Sequence, residues 1–264
     1  MGHTRIGRLR RTKKWKDIIR SYCAGASYSR LAHDILLAVQ DHLNEKSIAK
    51  DLAYQKAVYY LVQMGIGAQK KDFLGHMRSI GIELSPNPSV QELIGRIGEA
   101  IDDAAWGQTS VKSDLGEFAK QGLINAITYV AHLEKDVNPQ LPNMPPLPDK
   151  NIFDSFGERH NFAELNRRFI SSTMAHALNN YLAKIIPNLT GHTDRILSVE
   201  ELNRAYEDMK KHCYETTLVH KEYSTEWFAR HNYHLPEGMS ESQIARHANF
   251  MIKKMIRALK YGVD

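Results

Sequence analysis

Apolar residues recur every three or four positions through nearly the whole chain, the spacing that places them on one face of an α-helix. From Ser29, the positions Leu31, Ile35, Val39 and Leu43 predict a helix to about Asn44. Ser47 is the expected cap of the next helix, along which Ile48, Leu52, Tyr59 and Val62 align until Gly65 and Gly67 break it. A shorter helix fits residues 70–80. Ser89 and Glu92 make a capping-box pattern at the head of a segment whose buried face is Val90, Leu93, Ile94, Ile97, Ile101 and Ala104. Residues 114–134 read as a further helix with Leu115, Phe118, Ile127 and Val130 inward, weakened by Gly116 and Gly122.

The pattern stops between Asn138 and Asn151, which hold Pro139, Pro142, Pro145, Pro146 and Pro148. Proline lacks the backbone N–H and clashes with the preceding turn, so no helix survives that density. An extended, polyproline-like connector is expected there. Helical spacing then resumes. Asn161 with Glu164 opens a long helix that ends before Pro187. Ser198 with Glu201 makes a second capping box, followed by Leu202, Tyr206, Met209 and Cys213, with helix persisting to about Asn232. Ser240 with Gln243 makes a third, flanked by Met239 and Ile244 as a hydrophobic staple. The final helix is expected to bury Ile244, Ala248, Met251, Met255 and Leu259, with Arg246, Lys253, Arg257 and Lys260 together on its outer face.

No alternating run of β-branched residues and no Asn-Gly or Asp-Gly turn points to a strand, and no 30–45-residue repeat points to a solenoid. The expected fold is therefore all-α: two helical-bundle lobes, residues 21–137 and 152–264, joined by the proline-rich linker 138–151, behind a basic arm, residues 1–20.

The arm is where the charge lies. Residues 1–20 carry Arg5, Arg8, Arg10, Arg11, Lys13, Lys14, Lys16 and Arg20 against the single acid Asp17. The other 244 residues hold 27 basic and 29 acidic side chains, so a net +5 chain consists of a strongly cationic head on a nearly neutral body. Such segregation points to a polyanionic partner. Trp15 among these charges is expected to stack on unpaired bases.

Composition narrows the remaining classes. With 42% hydrophobic residues the chain can bury a core, and no stretch approaches the ~20 apolar residues of a membrane span. No apolar run follows the basic start, so a secretory signal is not expected, and its scarcity of serine argues against a mitochondrial presequence. Two cysteines, Cys23 and Cys213, make no disulfide framework, which sets a cytoplasmic location as the expectation.

Motifs for chemistry are weak. Residues 48–66 have the outline of a helix-turn-helix, but Ala53 stands where a turn glycine belongs, and one uninterrupted helix fits better. His33-Asp34 resembles the metal-binding pair of HD phosphohydrolases, yet only His3 precedes it to supply a first ligand. His212, His220, His231, His234 and His247 cluster with Cys213, Glu222 and Glu226, but neither glutamate has a histidine at plus three and there is no CxxC. Helical ribonucleases with four to six residues between an Arg and a catalytic His find no match: Arg168 to His176 and Arg204 to His212 each enclose seven residues, Arg230 to His234 three and Arg30 to His33 two. Gly65-x-Gly67 and Gly95-x-x-Gly98 follow no strand and are not phosphate loops. Asp102 and Asp103, adjacent on a helix, point about 100° apart. No catalytic residue, metal or cofactor is implied.

The function expected from these residues is a non-enzymatic helical subunit that binds RNA or DNA within a larger assembly. Arg5, Arg8, Arg10, Arg11, Lys13, Lys14, Lys16 and Arg20 would contact phosphates, Trp15 would stack, and Lys253, Arg257 and Lys260 would extend the track. Protein partners, with the arm on an acidic surface, are the alternative. A helical nuclease or metal-dependent phosphohydrolase using the histidine-rich second half is a further one. No membrane partner is expected.

Overall fold

A computed structural model describes residues 2–4, 13–40, 43, 48, 50–70, 72–109, 111–137, 150–185, 198–233 and 239–262. The described residues form eleven helices: α1 (Lys13–Cys23), α2 (Tyr28–Ala38), α3 (Leu52–Gln69), α4 (Phe73–Ser79), α5 (Val90–Thr109), α6 (Asp114–Val137), α7 (Lys150–Ser155), α8 (Arg159–Ile185), α9 (Val199–Thr216), α10 (Leu218–Tyr233) and α11 (Glu241–Tyr261). The protein is all-α but for one small exception to the expected absence of strands. Gly2–Thr4 (β1) pairs in parallel with Val111–Ser113 (β2), Gly2 opposite Val111 and Thr4 opposite Ser113. Three residues are too few to show a period of two.

Several helix starts obey their caps. Ser198 accepts from the Glu201 N–H while the Glu201 carboxylate accepts from the Ser198 N–H, and Ser240 and Gln243 repeat the arrangement. At α5 only half of the box closes. Ser89 accepts from the Glu92 N–H, but the Glu92 carboxylate accepts instead from the N–H and hydroxyl of Ser85. Other boundaries move. α2 is capped by Ser27 and ends at Ala38, and α8 begins two residues before Asn161. α3 is capped by Asp51, whose carboxylate accepts from the Tyr54 N–H, four residues after the expected Ser47. From Leu52 it is continuous past Ala53 to Gln69, but one uninterrupted helix from Ile48 is not what forms, because Lys50 lies in a turn and Asp51 is the extended cap. The helical stretch after Ser198 divides at Thr217 into α9 and α10.

Gly65 and Gly67 do not end α3; they lie within it, and the reason is contact. A Cβ on Gly65 would come 2.7 Å from Phe162 Cδ2 and 2.8 Å from Phe228 Cζ, and one on Gly67 2.9 Å from His76 Cδ2. Gly122 serves α6 in the same way, since a Cβ there would be 3.0 Å from the Phe169 carbonyl oxygen. These glycines lower helix propensity but let helices approach closely.

α3 and α8 are the inner helices. Ala53, Tyr54, Ala57, Val58 and residues 60–68 of α3 are all buried, as expected for a helix apolar on every side. It packs against α4, α5, α6, α7, α8 and α11, and the Tyr54 hydroxyl donates to the Ala248 carbonyl of α11 at 2.9 Å. α8 packs most extensively on α6, and also on α9 and α10. It buries polar side chains among apolar ones: Asn166 Nδ2 donates to the Phe162 carbonyl at 3.0 Å and Thr173 Oγ1 to the Phe169 carbonyl at 2.8 Å.

A single buried cluster draws on helices from both halves of the chain, from Trp15 and Ile18 through Leu61 and Val130 to Leu178, Met209 and Ile256. The helices on either side of residues 138–149 thus share a core rather than forming lobes with cores of their own. The proline-rich linker itself lies outside the described residues, apart from its last two, which begin α7.

Candidate nucleic-acid interface

The basic head divides into two parts. Arg5, Arg8, Arg10 and Arg11 lie outside the described residues. Lys13, Lys14, Lys16 and Arg20 belong to α1, a helix with two unlike faces. Trp15, Ile18 and Tyr22, spaced three and four apart, are buried, while Lys13, Lys14, Lys16 and Arg20 are exposed. Arg20 and Asp17 make one solvent-exposed ion pair at 3.6 Å. Residues 13–20 are therefore anchored to the core, unlike a separate arm.

Trp15 corrects an expectation. It is 8% exposed and its indole stacks on Tyr181 of α8, ring centroids 5.8 Å apart. In this fold the ring is part of the core and is not presented to a base. Its position, i−3 from Ile18 and i−7 from Tyr22, already carries the signal, because those three share the apolar stripe of α1.

α11 presents the second basic surface. Ile244, His247, Ala248, Met251, Ile252, Met255, Ile256 and Leu259 face the core. At about 100° per residue, Arg246, Lys253, Arg257 and Lys260 fall within one opposite arc. Arg246, Lys253 and Arg257 are exposed, and Lys254 and Lys260 half-buried. From Ser242 to Val263 the sequence holds no acid. Two aromatic side chains lie in the same arc, Phe250 at 40% and Tyr261 at 70% exposure. They stand eleven positions apart, about 20° past three full turns. The ring of Phe250 leans on Tyr223 with centroids 4.2 Å apart, Lys254 lies 5.8 Å from the Phe250 ring, and Tyr261 meets His33 edge-on. Arg246 to Tyr261 spans ~22 Å of helix at 1.5 Å per residue.

α2 links the two surfaces, packing on both α1 and α11. The Lys260 carbonyl bonds the ring nitrogen Nδ1 of His33, which fixes the end of α11 against α2. That contact also gives His33 a structural role. Its neighbour Asp34 accepts from Arg30 Nε at 3.0 Å.

The side chains of His220, Glu222, His231 and His234 lie outside those described. His247 is buried, stacked on Trp227 with centroids 3.6 Å apart, and Glu226 pairs with Arg230 at 2.9 Å. Burial pushes the Cys213 thiol up to about 12, so it stays protonated. Among the described residues no three His, Cys, Asp or Glu side chains gather as metal donors, and no helix is long and apolar enough to cross a membrane. Compared with known protein families, curated proteins and solved structures, the chain matches none.

Proposed function

We propose that this protein is a non-enzymatic helical subunit that binds RNA or DNA, working within a larger assembly. The carrying observation is the outward arc of α11, where cations alternate with two exposed aromatic rings and no acid intervenes. Lysine and arginine release counterions from a phosphate backbone, and a ring exposed among them offers a stacking platform for an unpaired base. Lys13, Lys14, Lys16 and Arg20 on α1 extend the contact, together with Arg5, Arg8, Arg10 and Arg11 ahead of them. Phosphate contacts carry no base code, so affinity is expected to vary little with sequence.

Fluorescence anisotropy with short labelled RNA and DNA, single- and double-stranded, tests this across a salt series. The K253E/R257E variant should bind at least ten-fold more weakly. A neutral K253Q/R257Q variant should flatten the slope of log K against log salt by about 1.5, at ~0.7–0.9 for each phosphate no longer neutralised. Unchanged affinity in both variants, or no binding by the intact protein, overturns the proposal. Recovery from the native host of a partner that survives nuclease treatment, with no nucleic acid affinity, would assign the same cations to an acidic protein.

A further inference from the structure

A cleft of about 200 Å³ opens between α6, α8 and α9 and shares no lining residue with α11. Asn125 and Tyr129 of α6, Arg168 and Ser172 of α8, and Lys210 and Tyr214 of α9 line it. Arg168 is held there from several sides. Its guanidinium carbon lies 3.5 Å from the ring centroid of Tyr129 and 3.8 Å from that of Tyr214, so aromatic rings flank the planar group. Its Nε–H donates to Glu164 Oε1 at 2.8 Å. With that edge engaged, the Nη groups remain, and among the described residues they make no hydrogen bond.

Glu164 does not neutralise the cleft. Its carboxylate also accepts from the Tyr214 hydroxyl at 2.7 Å and from Arg167 Nη1 at 3.0 Å. One buried anion thus serves two arginines, leaving a unit of positive charge beside the cleft before Lys210 is counted. The remaining polar lining supplies neutral donors. Asn125 Nδ2 donates to the Ser172 hydroxyl oxygen at 2.9 Å, which leaves the Ser172 hydroxyl hydrogen to point elsewhere. Lys210 reaches the rim from α9, where its partner Glu207 is solvent-exposed.

We infer that this cleft binds the phosphate group of a phosphate monoester. An arginine fork held by stacking and by a carboxylate is a preorganised oxyanion receptor, because little side-chain entropy is lost when the ligand arrives. The Arg168 fork, the Lys210 ammonium and the Ser172 hydroxyl come from two helices. They suit a tetrahedral group with three free oxygens better than a planar carboxylate. The volume exceeds that of phosphate alone, leaving room for part of an organic substituent against Tyr129. The site lies outside the proposed nucleic-acid surface and stands or falls separately from it.

Calorimetric titration of the full chain with inorganic phosphate and with acetate tests the site. A 5′-phosphorylated and a 5′-hydroxyl oligonucleotide, added to the K253E/R257E variant, distinguish a free phosphate ester from a nucleic-acid end. Saturable one-to-one phosphate binding, stronger than that of acetate, is expected. R168K should weaken it at least ten-fold by removing the fork while keeping the charge, and K210A and S172A several-fold each. A preference for the phosphorylated oligonucleotide identifies the source as a nucleic-acid end; equal oligonucleotide binding identifies a small ester. K210A and S172A alter partly exposed positions, so they keep the test decisive if R168K fails to fold. Absence of saturable phosphate binding, binding no stronger than that of acetate, or binding that all three variants leave unchanged, overturns the inference.

Discussion

Trp15 of α1 stacks on Tyr181 of α8, centroids 5.8 Å apart and planes 22° from parallel, so the beginning of the chain is tied to its longest helix. The contact makes α1 a structural member whose outward cations are held in place. Removing the indole leaves a cavity at the helix junction. W15A should cost about 3–5 kcal/mol, and W15F much less because most of the apolar volume is kept. Thermal melts would show this as roughly 2–4 °C per kcal/mol. Nucleic-acid affinity of W15F should match that of the unaltered chain; a selective loss for single strands would return Trp15 to the binding surface.

Two helical glycines should respond oppositely to the same substitution. At Gly65 the new methyl would meet Phe162 and Phe228 at 2.7 and 2.8 Å, both buried rings that are themselves stacked. G65A should destabilise by about 1–3 kcal/mol through overpacking. Gly95 is exposed within α5 and nothing lies within 4 Å of the added Cβ. G95A should stabilise by about 0.5–1 kcal/mol, the helix propensity gained over glycine. Denaturant midpoints of the two variants should therefore move in opposite directions.

Gly65 also shows where a one-dimensional pattern stops being informative. The apolar stripes of α5, α9 and α11 are legible because each helix has one wet face, so periodicity and capping residues report the same thing. Leu93, Ile97 and Ile101 are buried as spaced, as are Met209 and Cys213. α3 and α8 have little or no wet face along much of their length. In α3 a glycine reads as a break although it is a close contact, and in α8 the polar Asn166 and Thr173 are buried with their side chains bonded to the main chain. The basic arc of α11 is legible for the same reason as its buried stripe. Phe250 and Tyr261 stand in that arc too, but a single ring in a sequence carries no mark of its exposure. The cleft is not legible, since Asn125, Arg168 and Lys210 are brought together only by packing.

Glu164 predicts an acid-sensitive element. Burial alone would raise its carboxyl, but hydrogen bonds from Tyr214 and Arg168 and the charges of Arg167 and Arg168 outweigh that and hold it below the ordinary range. A carboxylate depressed in the folded state binds its proton more weakly there than in the unfolded chain. Its contribution is therefore complete above the ordinary glutamate value of ~4.3 and is lost as the pH falls through the lower folded value. E164Q, which leaves two arginines without their anion, should cost about 3 kcal/mol near neutrality. Urea titrations should show that deficit shrinking as the pH is lowered from about 6 to 3. A deficit independent of pH would mean that Glu164 acts by shape rather than by charge.

Phe250 and Tyr261 allow the proposed α11 surface to be separated from a merely cationic one. A cationic helix binds single and double strands through phosphates, with affinity governed by salt. Exposed rings add a contribution that needs unpaired bases, about 1–3 kcal/mol per stacked base. Tyr261 is largely exposed beside the last turn, and its replacement removes only an edge contact with His33, so Y261A should fold normally. F250A also removes the packing on Tyr223, and F250L retains much of that packing while removing the aromatic face. Y261A and F250L should each weaken single-stranded RNA or DNA binding by about 5-fold or more, leave duplex binding within two-fold, and leave the salt slope unchanged. K253Q/R257Q should do the reverse, weakening both forms and flattening the slope. Equal losses on single strands and duplexes for the aromatic variants would reduce α11 to an electrostatic surface, because a ring that stacks on bases cannot act on bases that remain paired.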